Sequence, residues 1–481
     1  MPTAAASLVS PPVFTAADIR AVERRWAGRH ADRSLMTAAG EAAADLGARL
    51  ALDTGAPVLV LAGPGHNGGD ALVAARRLTR LGHRVVVVSR ADPARLPPDA
   101  AAARAAWQAL GGAVLADLPG GQDYSLVVDG LYGVGLTRAV AGIDARWIDA
   151  VNALPCPRLA LDVPSGLDAD TGCVHGCAVR ANHTLTFIGL KPGLFTADGV
   201  DVAGRVWLAT LDVEPDLLPA VAGSTLTRLE ARHRLPPRRR NSHKGDFGRV
   251  GIVGGAPGLV GAGLIAGRAA LAHGTGSVTL GSLDDRLVVD YGEPRLMLAP
   301  PERLVAQPLD ALALGPGLGQ DARAEALLDA ALAASCPLVL DADALNLLAA
   351  APARLSQLGA RGAPTLLTPH PGEAARRLGT TPSAIQADRV GAARRLAALA
   401  GAHVALKGAG TIIAHPGGRY AINTSGGPWL AQAGAGDRLT GMVLARIGQG
   451  QPAADALEAA VWLHGSSAGG ERGINHNQVM G

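Results

Sequence analysis

The chain has 481 residues, a formal net charge of +3 and four cysteines. Its length predicts two or three domains with full cores, and its small net charge favours neither a nucleic-acid partner nor a strongly acidic one. No apolar run reaches the roughly 18 to 20 residues that span a membrane, and the N-terminal segment lacks the basic and apolar regions of a secretory signal. Four cysteines predict no disulfide framework, so we expect a cytoplasmic protein without a membrane partner.

Lysine is rare in this chain. Only Lys191, Lys244 and Lys407 occur, among 44 basic residues in all, and each lies beside glycine or proline. Because the lysine ammonium is a compact point charge that suits a single phosphate or carbonyl, each of the three is a candidate for a specific role.

The first half of the chain begins with a βαβ pattern. After a helix over Thr15–Arg29, the strand PVLVLAG leads through the loop Gly63–Asp70 to a helix that we expect to begin near Asp70, and a second strand follows. The loop contains GxGxxG, which raises the alternative of a dinucleotide-dependent dehydrogenase. Against that alternative, the second strand ends in Ser89-Arg90 and not in the acid that binds ribose.

Two later strands of the first half end in an acid. SLVVD ends at Asp129, and PRLALD ends at Asp162 and is followed by a Val-Pro-Ser-Gly turn. Ligands of an open parallel sheet lie beyond the carboxyl ends of its strands, and an oxygen-rich pocket there suits a hard cation and a polar ligand. The alternative is that each acid only caps a turn or a helix. The side chains that we expect to meet at this edge are Asn67, Asp129, Asp162 and Ser165.

The second half repeats the α/β alternation. Residues 213–240 are rich in Pro, Arg and Leu and predict a linker, with a domain boundary near residue 220. The strands and helices that follow alternate, which predicts a largely parallel sheet with helices on both faces. The residues that we expect at its catalytic edge are Gly317, Asp341, Asp343, His370, Lys407 and Asp437.

The segment Asn423–Gly441, NTSGGPWLAQAGAGDRLTG, combines glycines with a single acid, Asp437, ahead of a predicted helix. A helix N-terminus offers unpaired N–H groups and a partial positive charge, and glycine lets backbone approach an anion closely. We interpret the segment as a phosphoryl-transfer site in which Asp437 accepts a proton from the attacking hydroxyl. The alternative is an ordinary helix cap after a glycine loop.

Taken together, these motifs resemble those of the bifunctional NAD(P)H-hydrate repair enzymes along nearly the whole chain. The first half is similar to their epimerase domain in NGGD at Asn67–Asp70, VDGLYGVGL around Asp129 and DVPSG at Asp162–Gly166. The second half is similar to their ADP-dependent, ribokinase-like dehydratase in HKGDFGRV, GPGLG, TPHPGE, KGAGT and GAGD. The resemblance implies an α/β protein of two domains. These are a Rossmann-like three-layer sheet in residues 1–220 and a ribokinase-like doubly wound sheet in residues 221–481.

The resemblance also implies a function. The first domain would interconvert the R and S epimers of NADHX and NADPHX, which are nicotinamide cofactors hydrated at C6. The second would dehydrate the S epimer using ADP as co-substrate. It implies K⁺ in the epimerase domain, Mg²⁺ in the dehydratase domain and a homo-oligomer. We favour Asp437 as the base of phosphoryl transfer and Asp162 as the acid/base of epimerisation.

The remaining site residues that the resemblance implies fall into four groups. Contacts to the hydrate in the first domain are His66, Asn67, Gly68, Gly69, Asp70, Gly133, Val134, Gly135, Leu136, Thr137, Arg138, Ala139 and Asp162. Those in the second domain are Ala262, Gly317, His370 and Asp437. The nucleotide contacts are Lys407, Gly408, Ala409, Gly410, Thr411 and Gly436. The potassium ligands are Asn67, Asp129 and Ser165.

The chain departs from the family pattern at a few positions. His66 and Ala71 stand where the family commonly has asparagine and glycine, and the C-terminal ERGINHNQVMG is atypical. Arg438 either lends charge to the nucleotide or faces solvent. Two rival functions stay open at this point. One is a small-molecule kinase, since the ribokinase-like half alone permits it, and the other makes the first domain a non-catalytic scaffold.

Overall fold

The computed structural model describes residues 12–227, 231–232, 234–235 and 237–467. They divide into two compact units, residues 12–221 and the described residues from 222 to 467. The atypical C-terminal segment named above lies outside the described residues. No helix within these ranges is long and apolar enough to cross a lipid bilayer.

The first unit contains a seven-stranded sheet with the order β4-β3-β2-β5-β6-β7-β8, and every neighbouring pair is parallel. The strands of this sheet are β2 (Val58–Ala62), β3 (Val85–Val88), β4 (Val114–Leu115), β5 (Leu126–Gly130), β6 (Arg158–Leu161), β7 (His183–Phe187) and β8 (Arg205–Ala209). A short strand β1 (Pro12–Val13) precedes them in the chain and lies outside this sheet. Its helices are Ala16–Arg29, Leu35–Leu50, His66–Arg80, Pro98–Ala109, Gly142–Ala153 and Gly199–Val202, with 3₁₀ turns at Pro93–Arg95, Pro192–Leu194 and Pro215–Leu217.

Alternate residues of the central strands enter different cores. Val58 and Val60 belong to one apolar cluster, and their neighbours Leu59 and Leu61 belong to another. Because side chains along a strand point to opposite faces in turn, the sheet is covered on both faces. The first unit is therefore the three-layer structure that the sequence predicted.

The helix His66–Arg80 begins earlier than the sequence predicted. We expected its start near Asp70 because Asn-Gly-Gly favours a turn, but the helix already includes both glycines and is preceded by Gly65. A Cβ atom at Gly68 would lie 2.0 Å from the carbonyl oxygen of Gly63. Glycine is therefore required here for close packing of the helix on the preceding loop and not for a turn, and composition alone does not distinguish these two uses.

The second unit contains ten further strands. These are β9 (Gly223–Leu226), β10 (Arg249–Gly254), β11 (Ser277–Ser282), β12 (Met297–Ala299), β13 (Ala311–Leu314), β14 (Leu338–Leu340), β15 (Thr365–Leu367), β16 (His403–Leu406), β17 (Ile412–Ala414) and β18 (Tyr420–Asn423). Its helices are Val260–Ala272, Pro301–Val305, Ala322–Ala333, Ala342–Ala350, Pro352–Ala360, Pro371–Leu378, Pro382–Ala387, Arg389–Ala400, Ala435–Gly448 and Ala453–Ser466, with 3₁₀ turns at Lys244–Phe247 and Pro428–Leu430.

These strands run in the order β9-β18-β17-β16-β15-β14-β13-β10-β11-β12. Only β17 is antiparallel to its neighbours, so the largely parallel sheet is confirmed. β9 lies in the segment that the sequence predicted as a linker, and it pairs in parallel with β18. The prediction of a linker was wrong at this strand because β9 has only four residues between Pro- and Arg-rich stretches, too few for a recognisable alternating pattern.

The helix Ala435–Gly448 packs closely on the helix Val260–Ala272. A Cβ at Gly441 would lie 2.1 Å from the carbonyl oxygen of Ala266, so no larger residue permits this approach. Leu439, Met442 and Val443 on the helix Ala435–Gly448 join the apolar core of this unit. This packing fixes the N-terminus of the helix, where Asp437 lies.

Candidate active sites

A cavity of about 820 Å³ lies at the carboxyl ends of the strands of the first unit. Residues that follow β2, β5, β6, β7 and β8 line it, and helix Ala16–Arg29 supplies a further wall. Its volume falls within the range of roughly 300 to 1,000 Å³ typical of small-molecule sites. The cavity is thus at the edge of the sheet where the sequence placed a ligand.

Most of the hydrate contacts implied by the resemblance line this cavity. These are His66, Asn67, Asp70, Asp162 and the loop from Gly133 to Arg138. Gly68, Gly69 and Ala139 are not among the lining residues. Gly68 packs on Gly63, as described above, and a Cβ at Gly69 would lie 2.5 Å from the Met36 side chain. The two glycines therefore serve the packing of the helix that carries Asp70.

Ala71 is fully buried and faces Gly130 at the end of β5. A Cβ at Gly130 would lie 2.6 Å from the Ala71 methyl group. The methyl group at position 71 therefore fits because residue 130 has no side chain.

Asp162 forms a buried ion pair with Lys191. The Lys191 side chain is wholly buried, and its Nζ donates hydrogen bonds to Asp162 Oδ1, to Thr186 Oγ1 (2.9 Å) and to the carbonyl oxygen of Phe187 (2.7 Å). Asp162 has a φ of 65°, in the left-handed region that non-glycine residues rarely adopt. Such strain persists only where the surroundings enforce it and is common at functional sites. The pair is thus held at the cavity wall by both its backbone and its hydrogen bonds.

Two further acids, Glu23 and Asp70, share the cavity with Asp162. Partial desolvation, and then the charge of Asp162, raise the pKa of Glu23. Burial, followed by the charges of Asp162 and Glu23, raises the pKa of Asp70 well above its usual range. Carboxyl groups in such surroundings hold protons at higher pH than exposed ones, which is what an acid catalyst requires.

The predicted potassium ligands lie at the base of the same loops. Asp129 is fully buried and accepts hydrogen bonds from Ser165 N (2.9 Å), Ser165 Oγ (2.6 Å) and Leu131 N (3.3 Å). Burial raises the pKa of Asp129 to about 6, against these hydrogen bonds. Asn67 Oδ1 is buried and has no hydrogen-bond partner within the described chain. A buried carboxylate and an unsatisfied amide oxygen are groups that a monovalent cation would satisfy.

The second candidate site surrounds the N-terminus of helix Ala435–Gly448. Gly434 precedes the helix with a φ of 83°, which favours glycine, and Asp437 lies in the first turn as the sequence predicted. Burial, and then the charge of Asp341, raise the pKa of Asp437, while Lys407 opposes them. A carboxylate with a raised pKa is a stronger base than an exposed one.

Lys407 and Asp341 form a second, partly buried ion pair near Asp437. Lys407 Nζ donates to Asp341 Oδ1 (2.8 Å), and Thr440 Oγ1 donates to Asp341 Oδ2 (2.6 Å). A Cβ at Gly436 would lie 3.2 Å from Lys407 Nζ, so this glycine leaves the ammonium accessible from the helix N-terminus. Burial alone would lower the pKa of Lys407. The charges of Asp341 and Glu373 outweigh burial and raise this pKa overall, so the ammonium stays charged.

The predicted nucleotide loop, Lys407–Thr411, connects β16 to β17. Gly408 and Gly410 both have positive φ, at 135° and 60°, and Thr411 Oγ1 donates to the carbonyl oxygen of Gly408 (3.1 Å). Lys407 N donates to the carbonyl oxygen of Pro369 (2.8 Å), which ties this loop to the one that carries His370.

His370 caps the helix Pro371–Leu378. Gly372 N donates to His370 Nδ1 (2.9 Å), so the proton of the neutral ring lies on Nε2, 3.2 Å from Glu373 Oε1. Burial, and then the charges of Lys407 and Arg376, lower the pKa of His370. Burial raises the pKa of Glu373 to about 7.

Gly317 and Ala262 lie side by side, as expected for two contacts to one ligand. A Cβ at Gly317 would lie 3.2 Å from the Ala262 Cβ and 2.6 Å from the carbonyl oxygen of Leu259. Asp343 accepts a hydrogen bond from Gly319 N (2.9 Å) and so holds the neighbouring glycine turn.

Arg438 lines another cavity, of about 470 Å³. Trp429, Gln432 and His464 also line that cavity. Arg438 is therefore positioned beside a concave surface that borders the helix N-terminus.

Sequence reasoning missed several residues that these sites contain. Glu23 and Thr440 were not considered, Lys191 was noted only for its rarity, and Asp341 was placed at the catalytic edge without a role. A signal was available for Lys191, since a lysine retained in an arginine-rich chain suggests a specific partner. None was available for Thr440, whose contact with Asp341 spans 99 positions of sequence.

Fold and sites together define an α/β enzyme of two units, one with a ligand cavity that carries several acids and one with a phosphoryl-transfer arrangement. Two family models match the chain. The one described as YjeF-related protein N-terminus covers residues 32–193, and the one described as NAD(P)H-hydrate dehydratase covers residues 250–476.

Curated relatives match the chain over most of its length. It is 37% identical over 449 residues to the bifunctional NAD(P)H-hydrate repair enzyme of Escherichia coli strain K12, covering 90% of this chain and 84% of that one. It is also 37% identical over 440 residues to the enzyme of that name from Moorella thermoacetica, covering 85% and 82%. The chain therefore belongs to the family of bifunctional NAD(P)H-hydrate repair enzymes, and the predicted family and fold class are confirmed.

A solved structure also resembles part of the chain. It is the ADP/ATP-dependent NAD(P)H-hydrate dehydratase of Bacillus subtilis, co-crystallised with ATP and Mg²⁺. The two chains are 32% identical, with a TM-score of 0.45, and the match covers 50% of this chain and 87% of that one.

Proposed function

We propose that the chain repairs hydrated nicotinamide cofactors, with an epimerase in residues 1–220 and an ADP-dependent dehydratase in residues 221–481. The epimerase interconverts the R and S forms of NADHX and NADPHX. The dehydratase converts the S form to NADH or NADPH and converts ADP to AMP and phosphate. The observation that carries the proposal is the convergence of Asp437, Lys407 and Gly436 at one helix N-terminus, an arrangement suited to phosphoryl transfer.

Phosphoryl transfer is useful here because hydroxide is a poor leaving group. Asp437 accepts the proton of the C6 hydroxyl as that oxygen bonds to the β-phosphorus of ADP, and AMP leaves with the electron pair of the broken P–O bond. The C6–O bond then breaks, phosphate leaves with its pair, and the N1 lone pair forms an N1=C6 bond. Loss of a proton from C5 to solvent supplies the electron pair of the C5=C6 bond, and the N1=C6 π pair returns to N1, which restores the dihydronicotinamide.

Lys407 and the backbone around Gly436 hold the phosphates in this proposal. The ammonium stays charged and fixed because Asp341 accepts from it, and Thr440 fixes Asp341 in turn. Preorganised charge of this kind stabilises the transferring group without reorganisation during the step.

Mg²⁺ fits this site only together with a nucleotide. Within the described ranges no three His, Cys, Asp or Glu side chains are placed to hold a metal by themselves. Mg²⁺ usually binds through one or two carboxylates plus phosphate oxygens, and Asp343 is the carboxylate that we propose. When bound, the ion offsets the negative charge of the phosphates.

In the first unit we propose that Asp162 is the acid/base of epimerisation, with the hydrate bound in the 820 Å³ cavity. C6 carries both a hydroxyl and the ring nitrogen, so loss and return of water through an N1=C6 intermediate inverts this carbon. Asp162→Asn tests the assignment. R-epimer conversion at the wild-type rate would remove Asp162 from the mechanism.

We propose K⁺ as the cation of the first unit, held by Asn67, Asp129 and Ser165. Its support is the unsatisfied Asn67 Oδ1 and the buried charge of Asp129. A cation there would fix the loops that carry the cavity wall, because Ser165 Oγ also accepts from Tyr132 N at the start of the loop with Gly133 (2.8 Å).

We also propose a cytoplasmic homo-oligomer. The described residues include all four cysteines and show no disulfide between them, as is usual in a reducing compartment. Light scattering on the protein as it elutes from a size-exclusion column measures its molar mass and so tests the assembly. The molar mass of a monomer would contradict the proposed homo-oligomer.

Product analysis separates the proposed function from a small-molecule kinase. The purified protein is incubated with mixed hydrate epimers and ADP or ATP, and NADH, AMP and inorganic phosphate are measured. We expect the three products of the ADP reaction in equal amounts. A stable phosphorylated alcohol without recovery of NADH would identify a kinase instead.

A further inference from the structure

The helix Ala16–Arg29 is anchored beside the Asp162–Lys191 pair. Val13 forms a β-bridge with Leu190, and Phe14 N donates to the carbonyl oxygen of Leu190 (2.8 Å), the residue before Lys191. Phe14 is 2% exposed and packs against Gly189. These contacts fix the start of the helix on the loop that supplies the lysine.

Further contacts fix the rest of this helix. Ala16 N donates to Asp170 Oδ1 (2.7 Å), and Thr15 and Asp18 form a reciprocal capping box. At the other end, Arg29 pairs with Asp216 (2.8 Å). The helix is therefore held at both ends, and its position over the cavity is set by the fold.

Glu23 is the acid that this helix contributes to the cavity. It lines the cavity with Ile19 and Trp26, one helical turn to either side, and these two are almost fully buried. Asp162 and Lys191 line the cavity from the strand ends, so the acids come from two different walls. Glu23 remains accessible from the cavity.

The charges around Glu23 come from several elements. Partial desolvation, and then the charge of Asp162, raise the pKa of Glu23, and the charges of Lys191, His66 and Arg20 oppose this. Lys191 donates directly to Asp162 and not to Glu23. An ammonium stabilises the negative charge of the carboxylate that it contacts, and for Lys191 that carboxylate is Asp162.

We propose that Glu23 is a second catalytic residue of the epimerase, acting from a different wall of the cavity than Asp162. The proposal rests on the proposed epimerase function. Inversion at C6 requires a proton donor for the departing hydroxyl on one face of the ring and an acceptor for the incoming water on the other. A single carboxyl group does not reach both faces.

The step balances with these two residues. Glu23 gives its proton to the C6 oxygen, the C6–O bond breaks with its pair on oxygen, and the N1 lone pair forms N1=C6. Water then bonds to C6 from the other face, Asp162 takes a proton from it, and the π pair returns to N1. In the reverse direction the two carboxyl groups exchange roles, and exchange with solvent restores the starting protonation.

The experiment uses the full chain with ADP, so that its own dehydratase reports on epimerisation. The R epimer is supplied, and recovery of dihydronicotinamide absorbance is compared for the wild type, Glu23→Gln and the control Glu41→Gln. Glu41 lies on the next helix and does not line the cavity. We expect Glu23→Gln to slow R-epimer conversion by about 10²- to 10⁴-fold, with Glu41→Gln and S-epimer dehydration unchanged.

Chemical rescue separates catalysis from structure. Acetate or formate should partly restore epimerisation to Glu23→Ala but not to Asp162→Asn, and should raise kcat and not lower KM. Wild-type rates in Glu23→Gln would overturn the proposal, and so would a loss confined to KM without rescue. A wild-type protein that converts the R epimer no faster than buffer would instead refute the epimerase function itself and this proposal with it.

Discussion

Lys191→Met is expected to destabilise the first unit through a charge that is left buried. The substitution keeps the length of the side chain but removes the ammonium that contacts Asp162, Thr186 and Phe187. Lys191 is wholly buried, and the Asp162 side chain is 12% exposed. Asp162 would then keep only long contacts of 3.4 Å with Thr186 Oγ1 and Phe187 N.

Removal of one partner from a buried ion pair costs about 3 to 5 kcal/mol. Because Asp162 retains some access to solvent, we expect Lys191→Met to cost about 3 kcal/mol, at the lower end of that range. Asp162→Asn leaves the ammonium bound to two oxygens and should cost less. The double variant leaves no unpaired charge, so it should be about 2 to 3 kcal/mol more stable than the sum of the single effects.

Hydrogen exchange at increasing denaturant measures these free energies in the first unit alone. Peptides that cover β6, β7 and β8 report its opening without interference from the second unit. A cost below about 1 kcal/mol for Lys191→Met, or strictly additive effects in the double variant, would refute the reasoning that the pair is a buried and coupled one.

Three further predictions concern the remaining charged groups. Asp437→Asn should slow S-epimer dehydration by about two orders of magnitude or more, because it removes a positioned base. Epimerisation by the same variant should be unchanged. A dehydration rate within about tenfold of the wild-type rate would exclude Asp437 as the base. Glu373 has a folded pKa of about 7, above its ordinary value of 4.5, so the native state holds the proton and the wild type loses stability as the pH rises through that window. Glu373→Gln lacks this loss, so its stability relative to the wild type should rise by about 2 kcal/mol between about pH 5 and about pH 8. Denaturant unfolding measures the free energy of unfolding of both proteins. If the difference between them is the same at the two pH values, Glu373 ionises normally. Replacement of K⁺ by Li⁺ should slow epimerisation about tenfold or more and leave dehydration unchanged, and equal rates in the two salts would remove the cation from the Asn67 site.

The sequence predicted those parts of the sites that local chemistry specifies. Asp437 follows a glycine-rich turn and precedes an apolar helix, so its place in the first turn follows from a few consecutive residues. Asp129 and Asp162 end strands, and parallel strand ends meet at one edge, so their common location follows from topology. In both cases the signal is short in sequence.

The ion pairs could not be predicted in this way. Lys191 contacts a residue 29 positions away, and Lys407 contacts one 66 positions away. Both lysines were noted because they are rare, yet Lys244, which is equally rare, is exposed. Rarity indicates that a lysine matters, but only the folded sheet determines which carboxylate it meets.

Glu23 was missed because its role depends on how a helix is placed. The helix pattern of residues 15–29 identifies a buried face, but not the cavity beneath it. The start of the helix is bound at Leu190 through Val13 and Phe14, a contact between segments far apart in sequence. Position 23 also lies before the first residue of the matching family model, residue 32, so no motif covers it.

The central claim is that one chain performs two successive reactions on a hydrated cofactor. Its most direct test is a hydrate mixture of known R and S content, treated with the full chain, K⁺, Mg²⁺ and excess ADP, with the dihydronicotinamide absorbance followed to completion. We expect all of the hydrate to be converted to NADH, with the R fraction consumed faster than it epimerises in buffer. Recovery that stops at the S fraction and continues only at the uncatalysed rate would contradict the claim.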